Sequence, residues 1–162
     1  MTILGIDPGT TRAGYGIIQS GGGGPKLITA GILKVSPAGG TAAILEEIQA
    51  GIAALCAEHK PALIAIEKLY FSKNQKTAFA VAEARGVILL AARMAGIGIR
   101  EYSPTEVKAS ITGYGGADKK AVLKMVKLIL RAHDLKVIDD ASDALAIAIV
   151  AAQDLRIRPA AS

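Results

Sequence analysis

LGIDPGTTRAGYGII, Leu4 to Ile18, governs how the rest of the chain is read. An apolar strand ends in an acid, turns through Pro8, Gly9 and two threonines, and runs on into a second strand-like stretch. A core strand gains nothing from a carboxylate unless that charge is paired or holds a metal. Asp7 is therefore the first residue to explain.

Outward from this stretch, residues 2–7, 13–20 and 26–35 read as three strands of an antiparallel meander, with GGGGP at 21–25 as a turn. A helix is predicted over 41–58, with Ile44, Leu45, Ile48, Ile52 and Leu55 on one face, and Pro61 ends it. ALIAIE follows as a near-continuous apolar strand, the kind buried on both faces in parallel sheets. Residues 77–95 carry a long helical pattern closed by Gly96, and IGIREY is a short strand. SPTE announces another helix, with Ser103 as N-cap, Pro104 at its first position and Glu106 closing a capping box. TGYGG at 112–116 is a loop, a basic amphipathic helix spans about 118–131, and a last helix starts near Asp139 and runs to about Leu155. The tail from Arg156 is expected to fray. The order predicts an α/β fold: one domain over 1–162, with a mixed five-stranded sheet and helices on both faces. A right-handed crossover would set the fourth strand parallel to the first.

Asp7 then acquires company. Glu67 ends the strand ALIAI as Asp7 ends TILGI, so parallel neighbours would bring the two carboxylates together. In DDASDALAIAIVAA, Asp140 and Asp143 are three apart on one helix face. That helix is apolar almost all round, so it is buried and holds its acids near the sheet. Singly, each acid has an ordinary use: Asp7 in a turn, Asp140 or Asp143 at a helix cap. Together they would repel unless some are protonated or a divalent cation neutralises them. Oxygen donors without Cys or His point to magnesium or manganese. Two such ions, held by these acids, can activate water and stabilise the leaving oxygen of a phosphodiester.

Composition narrows the partner. The net charge is +5, but the stretch from Lys68 to Lys136 has 13 Lys or Arg against 5 Asp or Glu. A basic middle suits an anionic partner such as nucleic acid. Lys119, Lys120, Lys124, Lys127 and Arg131 share one broad side of their helix, opposite Val122, Met125, Val126 and Ile129. The first three lysines suit phosphate contacts, whereas Lys127 and Arg131 read as solvated surface. LYFSKN places Tyr70 and Phe71 between Lys68 and Lys73 just after Glu67, where an exposed ring could stack on an unpaired base. Cys56 lies in an apolar helical pattern and has no partner in the chain, which fits core packing and a reducing cytoplasm. His59 and His133 are too far apart in sequence to suggest zinc. No signal-peptide n-region opens the chain and no apolar run nears the roughly 18 residues of a membrane span.

GIDPGTTRAGYGII, AIEKLYFSKN, EARGVILLAA, SPTEVKASITGYGGADK and DDASDALAIAI, in this order and spacing, resemble the RuvC family of Holliday junction resolvases over nearly the whole chain. The resemblance implies a ribonuclease H-like fold and a homodimer. It implies magnesium-dependent nicking of opposing strands of a four-way DNA junction, with the RuvAB branch-migration complex as partner. The family's catalytic carboxylates fall on Asp7, Glu67, Asp140 and Asp143, and its basic residues near the site on Lys108 and Lys119. Its base-contacting aromatic falls on Tyr70; where the family has phenylalanine, this chain has Tyr70 followed by Phe71. Periodicity leaves Asp139 open beside Asp140, since both share a face with Asp143; the resemblance selects Asp140 and leaves Asp139 to cap the helix. The small residues of AVAEARG, Ala80 to Gly86, would suit either a dimer seam or packing on the sheet.

Three rivals remain at this level. An actin-like ATPase shares the opening acid–glycine–threonine turn, but it needs two related domains, and GYGGADKK lacks Walker spacing. A non-catalytic junction binder would leave the acids without purpose. A related nuclease acting on RNA is the third.

Overall fold

The computed structural model describes residues 1–69, 75–137 and 139–157. In chain order the elements are β1 (Thr2–Asp7), β2 (Arg12–Gln19), β3 (Lys26–Lys34), α1 (Gly40–His59), β4 (Leu63–Glu67), α2 (Gln75–Met94), β5 (Gly98–Tyr102), α3 (Pro104–Thr112), α4 (Lys119–Ile129) and α5 (Asp139–Ile157). The strands form one sheet in the order β3-β2-β1-β4-β5. The β1–β2 and β2–β3 pairs are antiparallel, and β1–β4 and β4–β5 are parallel. The mixed five-stranded sheet expected from the sequence is thus the one the chain forms.

Apolar strands that lack polar alternation are buried on both faces, and here the parity of each strand divides its residues between two cores. Leu4, Ile6, Ile17, Ile64 and Ile66 face α1 and α2, where they meet Ile48, Ile52, Ala84 and Ile88. Ile3, Ile18, Leu63 and Ala65 face α3, α4 and α5, against Val107, Val122, Val126 and Leu145. The same parity puts Asp7 and Glu67, the last residues of β1 and β4, on the α5 face.

The sheet lets α5 come unusually close. A Cβ at Gly5 would lie 2.0 Å from the carbonyl oxygen of Ala144, and one at Gly14 would lie 2.0 Å from that of Asp140. At Gly16 it would meet Leu145 at 2.7 Å. Gly5 and Gly16 are paired across β1 and β2, so these glycines form a shallow track in which the helix lies.

Helix termini follow the local chemistry, with corrections. The capping box of α3 is complete: the Ser103 hydroxyl accepts from the Glu106 N–H at 3.1 Å, and the Glu106 carboxylate accepts from the Ser103 N–H at 2.7 Å. Gly96 closes α2 with a φ of 70°, the left-handed conformation expected of a C′ glycine. The basic helix is shorter than predicted, because Arg131 takes a φ of 53° and stops it at Ile129. The last helix is longer than predicted. Arg156 lies inside α5, and its guanidinium donates to the carbonyls of Gly21 and Gly22 at 3.1 and 3.4 Å, so Arg156 itself is held in place; the rest of the tail expected to fray, residues 158–162, lies outside the described residues. Helical residues Pro37–His59, which include α1, reach a mean hydropathy of 1.2, long and apolar enough to cross a membrane by length and composition. This corrects the expectation that no apolar run nears that length: Glu46 and Glu47 interrupt the stretch, yet its alanines and branched residues keep the average high. The helix instead lays Ile48, Ile52, Leu55 and Cys56 against the sheet, and its outward face is largely alanine.

Candidate functional site

Two strand ends and one helix build the site. β1 and β4 are in parallel register through Ile6 and Ile66, so Asp7 and Glu67 are the next residues on adjacent strands. Across the glycine track, the first turn of α5 supplies Asp140 and Asp143. One cavity of about 320 Å³ is lined by Asp7, Glu67 and Asp143 together with Lys108 and Lys119. A second, of about 240 Å³, lies on the other side of Asp7 and is lined by Thr10, Thr11, Arg12 and Asp140. Asp7 belongs to both.

Each α5 acid has its own cation. Lys119 Nζ lies 2.9 Å from Asp143 Oδ2, and Arg12 Nε lies 2.7 Å from Asp140 Oδ2. Among the described residues the strand acids, Asp7 and Glu67, have no such ion pair and bear the cost. Burial, reinforced by Glu67, Asp143 and Asp140, pushes the Asp7 carboxyl up to about 7. Burial and the neighbouring Asp143 raise Glu67 as well, against the opposing pull of Lys119 and Lys108. The hydrogen bond to Asp143 raises Lys119 and keeps it cationic.

This donor set suits a hard divalent cation: four carboxylates, no sulfur or imidazole, and two of the acids raised by burial and by neighbouring carboxylates. It is not a closed cage. Among the described residues, no three His, Cys, Asp or Glu side chains are gathered tightly enough to hold an ion as they stand. Two of the acids are instead engaged by cations, Asp140 by Arg12 and Asp143 by Lys119.

Among the other sequence candidates, Lys120 and Lys124 are exposed on α4, Lys120 beside Lys119 and Asp139 at a shallow depression. Tyr70, Phe71 and Lys73 lie outside the described residues. Asp139 is exposed and begins α5 itself, so it sits inside the helix and not at the cap expected for it. Three further residues escaped the sequence reading. Arg12 was hidden in the opening stretch; its signal was its spacing of two from Gly14, which puts both on the α5 face of β2. Arg85 donates from Nε to the Glu67 carbonyl at 3.2 Å and pairs with Glu101, pinning the end of β4. Tyr114 is 70% exposed. Its ring lies across Gly116, where a Cβ would meet it at 2.7 Å, so an aromatic flanked by glycines is held outward in the loop between α3 and α4.

Comparison with known proteins adds the decisive observation: the family described as crossover junction endodeoxyribonuclease RuvC matches residues 3–151. The chain belongs to the RuvC family. It is accordingly an endodeoxyribonuclease, and membership implies dependence on a divalent metal. The RuvC protein of Syntrophomonas wolfei is 47% identical over 150 residues, covering 92% of this chain and 87% of the relative. The solved structure of Thermus thermophilus RuvC superposes with a TM-score of 0.89 at 31% identity, covering 97% of this chain and 96% of that one. The T. thermophilus protein in complex with a Holliday junction substrate gives a TM-score of 0.88 at 29% identity, covering 98% and 97%. The ribonuclease H-like architecture expected from the sequence is therefore this chain's fold.

Proposed function

We propose that this chain resolves four-way DNA junctions in recombination and repair, nicking two opposing strands as a homodimer with magnesium. The observation that carries this reading is the meeting of Asp7, Glu67 and Asp143 with Lys108 and Lys119 in one cavity of a RuvC-type chain. Asp7, Glu67, Asp140 and Asp143 would hold the metal, two ions per site. Bound magnesium supplies a water of lowered pKa and charge stabilisation for the leaving oxygen. Manganese meets the same donor chemistry. The chain's own residues do the rest. Lys108 and Lys119 face the cavity from α3 and α4 and would hold the phosphate oxygens as negative charge builds on them. Lys120 and Lys124 would contact the backbone further along the strand, and Tyr70, Phe71 and Lys73 would contact DNA near the crossover. The outward ring of Tyr114 suits the same use. Partnership with the RuvAB branch-migration complex and action in the cytoplasm, within one domain spanning 1–162, complete the reading. The test is cleavage of a synthetic four-way junction with magnesium, with EDTA, and beside linear duplex and structured RNA. Paired nicks in the junction alone, only with metal, are expected; preferential cutting of RNA would replace this reading.

The dimer reading would use an exposed face of α2. Ala84, within the small-residue stretch, is only 1% exposed and packs in the core, so that part of AVAEARG serves the sheet. The opposite side of α2 carries Phe79, Leu90 and Met94, which are 71%, 57% and 72% exposed, with Glu83 and Gly86 between them. These positions recur every three or four residues, as an unpartnered helix stripe does. Leu90→Glu is expected to turn the dimer into a monomer in sedimentation equilibrium and to abolish paired nicking. A dimer that survives Leu90→Glu places the seam elsewhere.

A further inference from the structure

Arg12 is a charged residue at the site for which the catalytic reading has no use. Its position is built, not incidental. The turn before it closes tightly, since a Cβ at Gly9 would lie 2.0 Å from the Arg12 carbonyl oxygen. The Thr11 carbonyl accepts from the Val35 N–H at 3.1 Å, which anchors the turn to the chain leaving β3. Two residues on, the bare Gly14 lets the backbone of Asp140 rest against β2. Alternation along the strand then sends the Arg12 side chain to the same face, towards the start of α5. The result is the 2.7 Å contact between Arg12 Nε and Asp140 Oδ2, with Arg12 59% and Asp140 21% exposed.

That contact lies in the second cavity, across Asp7 from Lys119. The guanidinium thus occupies a carboxylate that a divalent cation would need, and among the described residues no three acids are grouped to hold an ion. A guanidinium also binds phosphate well, through a planar fork that matches two oxygens. The hydroxyl side chains of Thr10 and Thr11 line the same cavity and add donors of the kind that contact a nucleic-acid backbone.

We propose that Arg12 neutralises Asp140 in the metal-free protein, yields that carboxylate to an incoming divalent cation, and then holds a backbone phosphate of the DNA strand lying along the second cavity. The proposal rests on the reading of Asp140 as a metal ligand. Arg12 acts as a stand-in for the cation at Asp140 until the ion arrives. It then couples metal occupancy to DNA binding, since its charge reaches the phosphate only once the ion has taken its place.

The test uses the full chain and two readouts that do not depend on cleavage. Manganese binding without DNA is measured by calorimetry for the wild type, Arg12→Gln and Asp140→Asn. Arg12→Gln is expected to bind manganese about two- to five-fold more tightly, the range set by losing one exposed ion pair that competes with the metal. Asp140→Asn is expected to bind it more weakly. Junction binding is then titrated against salt, once with EDTA and once with calcium in place of magnesium so that the DNA stays uncut. With EDTA, Arg12→Gln should match the wild type. With calcium, its affinity should fall and its log–log salt slope should be shallower by about 1, the loss of one phosphate contact. Unchanged or weaker manganese binding by Arg12→Gln, with Asp140→Asn impaired, overturns the Arg12 proposal and leaves the metal-site reading standing. An unchanged salt slope in calcium overturns it too. Full manganese affinity in Asp140→Asn removes Asp140 from the metal site, and the Arg12 proposal falls with it.

Discussion

Asp7→Asn is expected to lower junction nicking by about a thousandfold or more while leaving the protein folded and able to bind junctions. The size follows from position. Asp7 lines both cavities, so its loss reaches every ion the site would hold. Withdrawing metal stabilisation worth several kcal/mol costs about three powers of ten in rate. The amide keeps the shape of the carboxyl, and it removes a charge whose burial, reinforced by the neighbouring acids, raises Asp7. Junction affinity in EDTA should therefore be equal to or higher than that of the wild type, because one negative charge near the phosphates has gone. Single-turnover nicking and gel-shift titration of the same variant check both halves. Magnesium-dependent nicking within tenfold of the wild type would take Asp7 out of the metal site.

The second large effect is on stability. Burial and the neighbouring acids raise Asp7 from its ordinary 3.8 to about 7 in the folded chain. Below about pH 4 the carboxyl is protonated whether the chain is folded or unfolded, and it carries no penalty. Between about pH 4 and 7 the unfolded chain releases the proton while the folded chain keeps it, so stability falls as the pH rises. Above 7 the penalty is complete, at up to about 4 kcal/mol from Asp7. Glu67 shifts in the same direction and adds to the same slope. The metal-free protein should melt at a lower temperature at pH 8 than at pH 5. Magnesium at pH 8 should recover up to about 10 °C, with a much smaller gain at pH 5. Asp7→Asn should flatten most of the slope. Scanning calorimetry in EDTA and in magnesium from pH 5 to 8 measures it, and a wild-type melting temperature that holds level across that range would contradict the assigned cause.

How far the sequence reveals this site depends on which contacts set each part. Asp7 and Glu67 were legible because one strand rule decides both: an acid at the end of an apolar strand, with equal parity, on parallel neighbours. Asp140 and Asp139 were not separable by periodicity, since each shares a face with Asp143. What separates them in space is the contact at Gly14 and the reach of Arg12, and no local pattern encodes the distance between a strand and a distant helix. Arg156 was misread for a related reason: its partners, Gly21 and Gly22, lie at the other end of the chain, and the composition of a tail says nothing about them. In α2, small residues occur on two faces at once. Ala84 meets the sheet while Gly86 faces outward, so a stretch of small residues could not name its own neighbour.

The glycine track beneath α5 bears on how such a nuclease could adapt to heat. A common route to a firmer sheet replaces strand glycines with alanine or β-branched residues, which restrict the unfolded chain and fill space. At Gly5, Gly14 and Gly16 that route is closed, because each added methyl would lift the helix that carries Asp140 and Asp143. Selection for thermal tolerance must then act on parts remote from the track, such as the alanine-rich outer face of α1 or the loop at 21–24. A lineage moving between temperatures would keep these three bare positions while the rest of its sheet drifts.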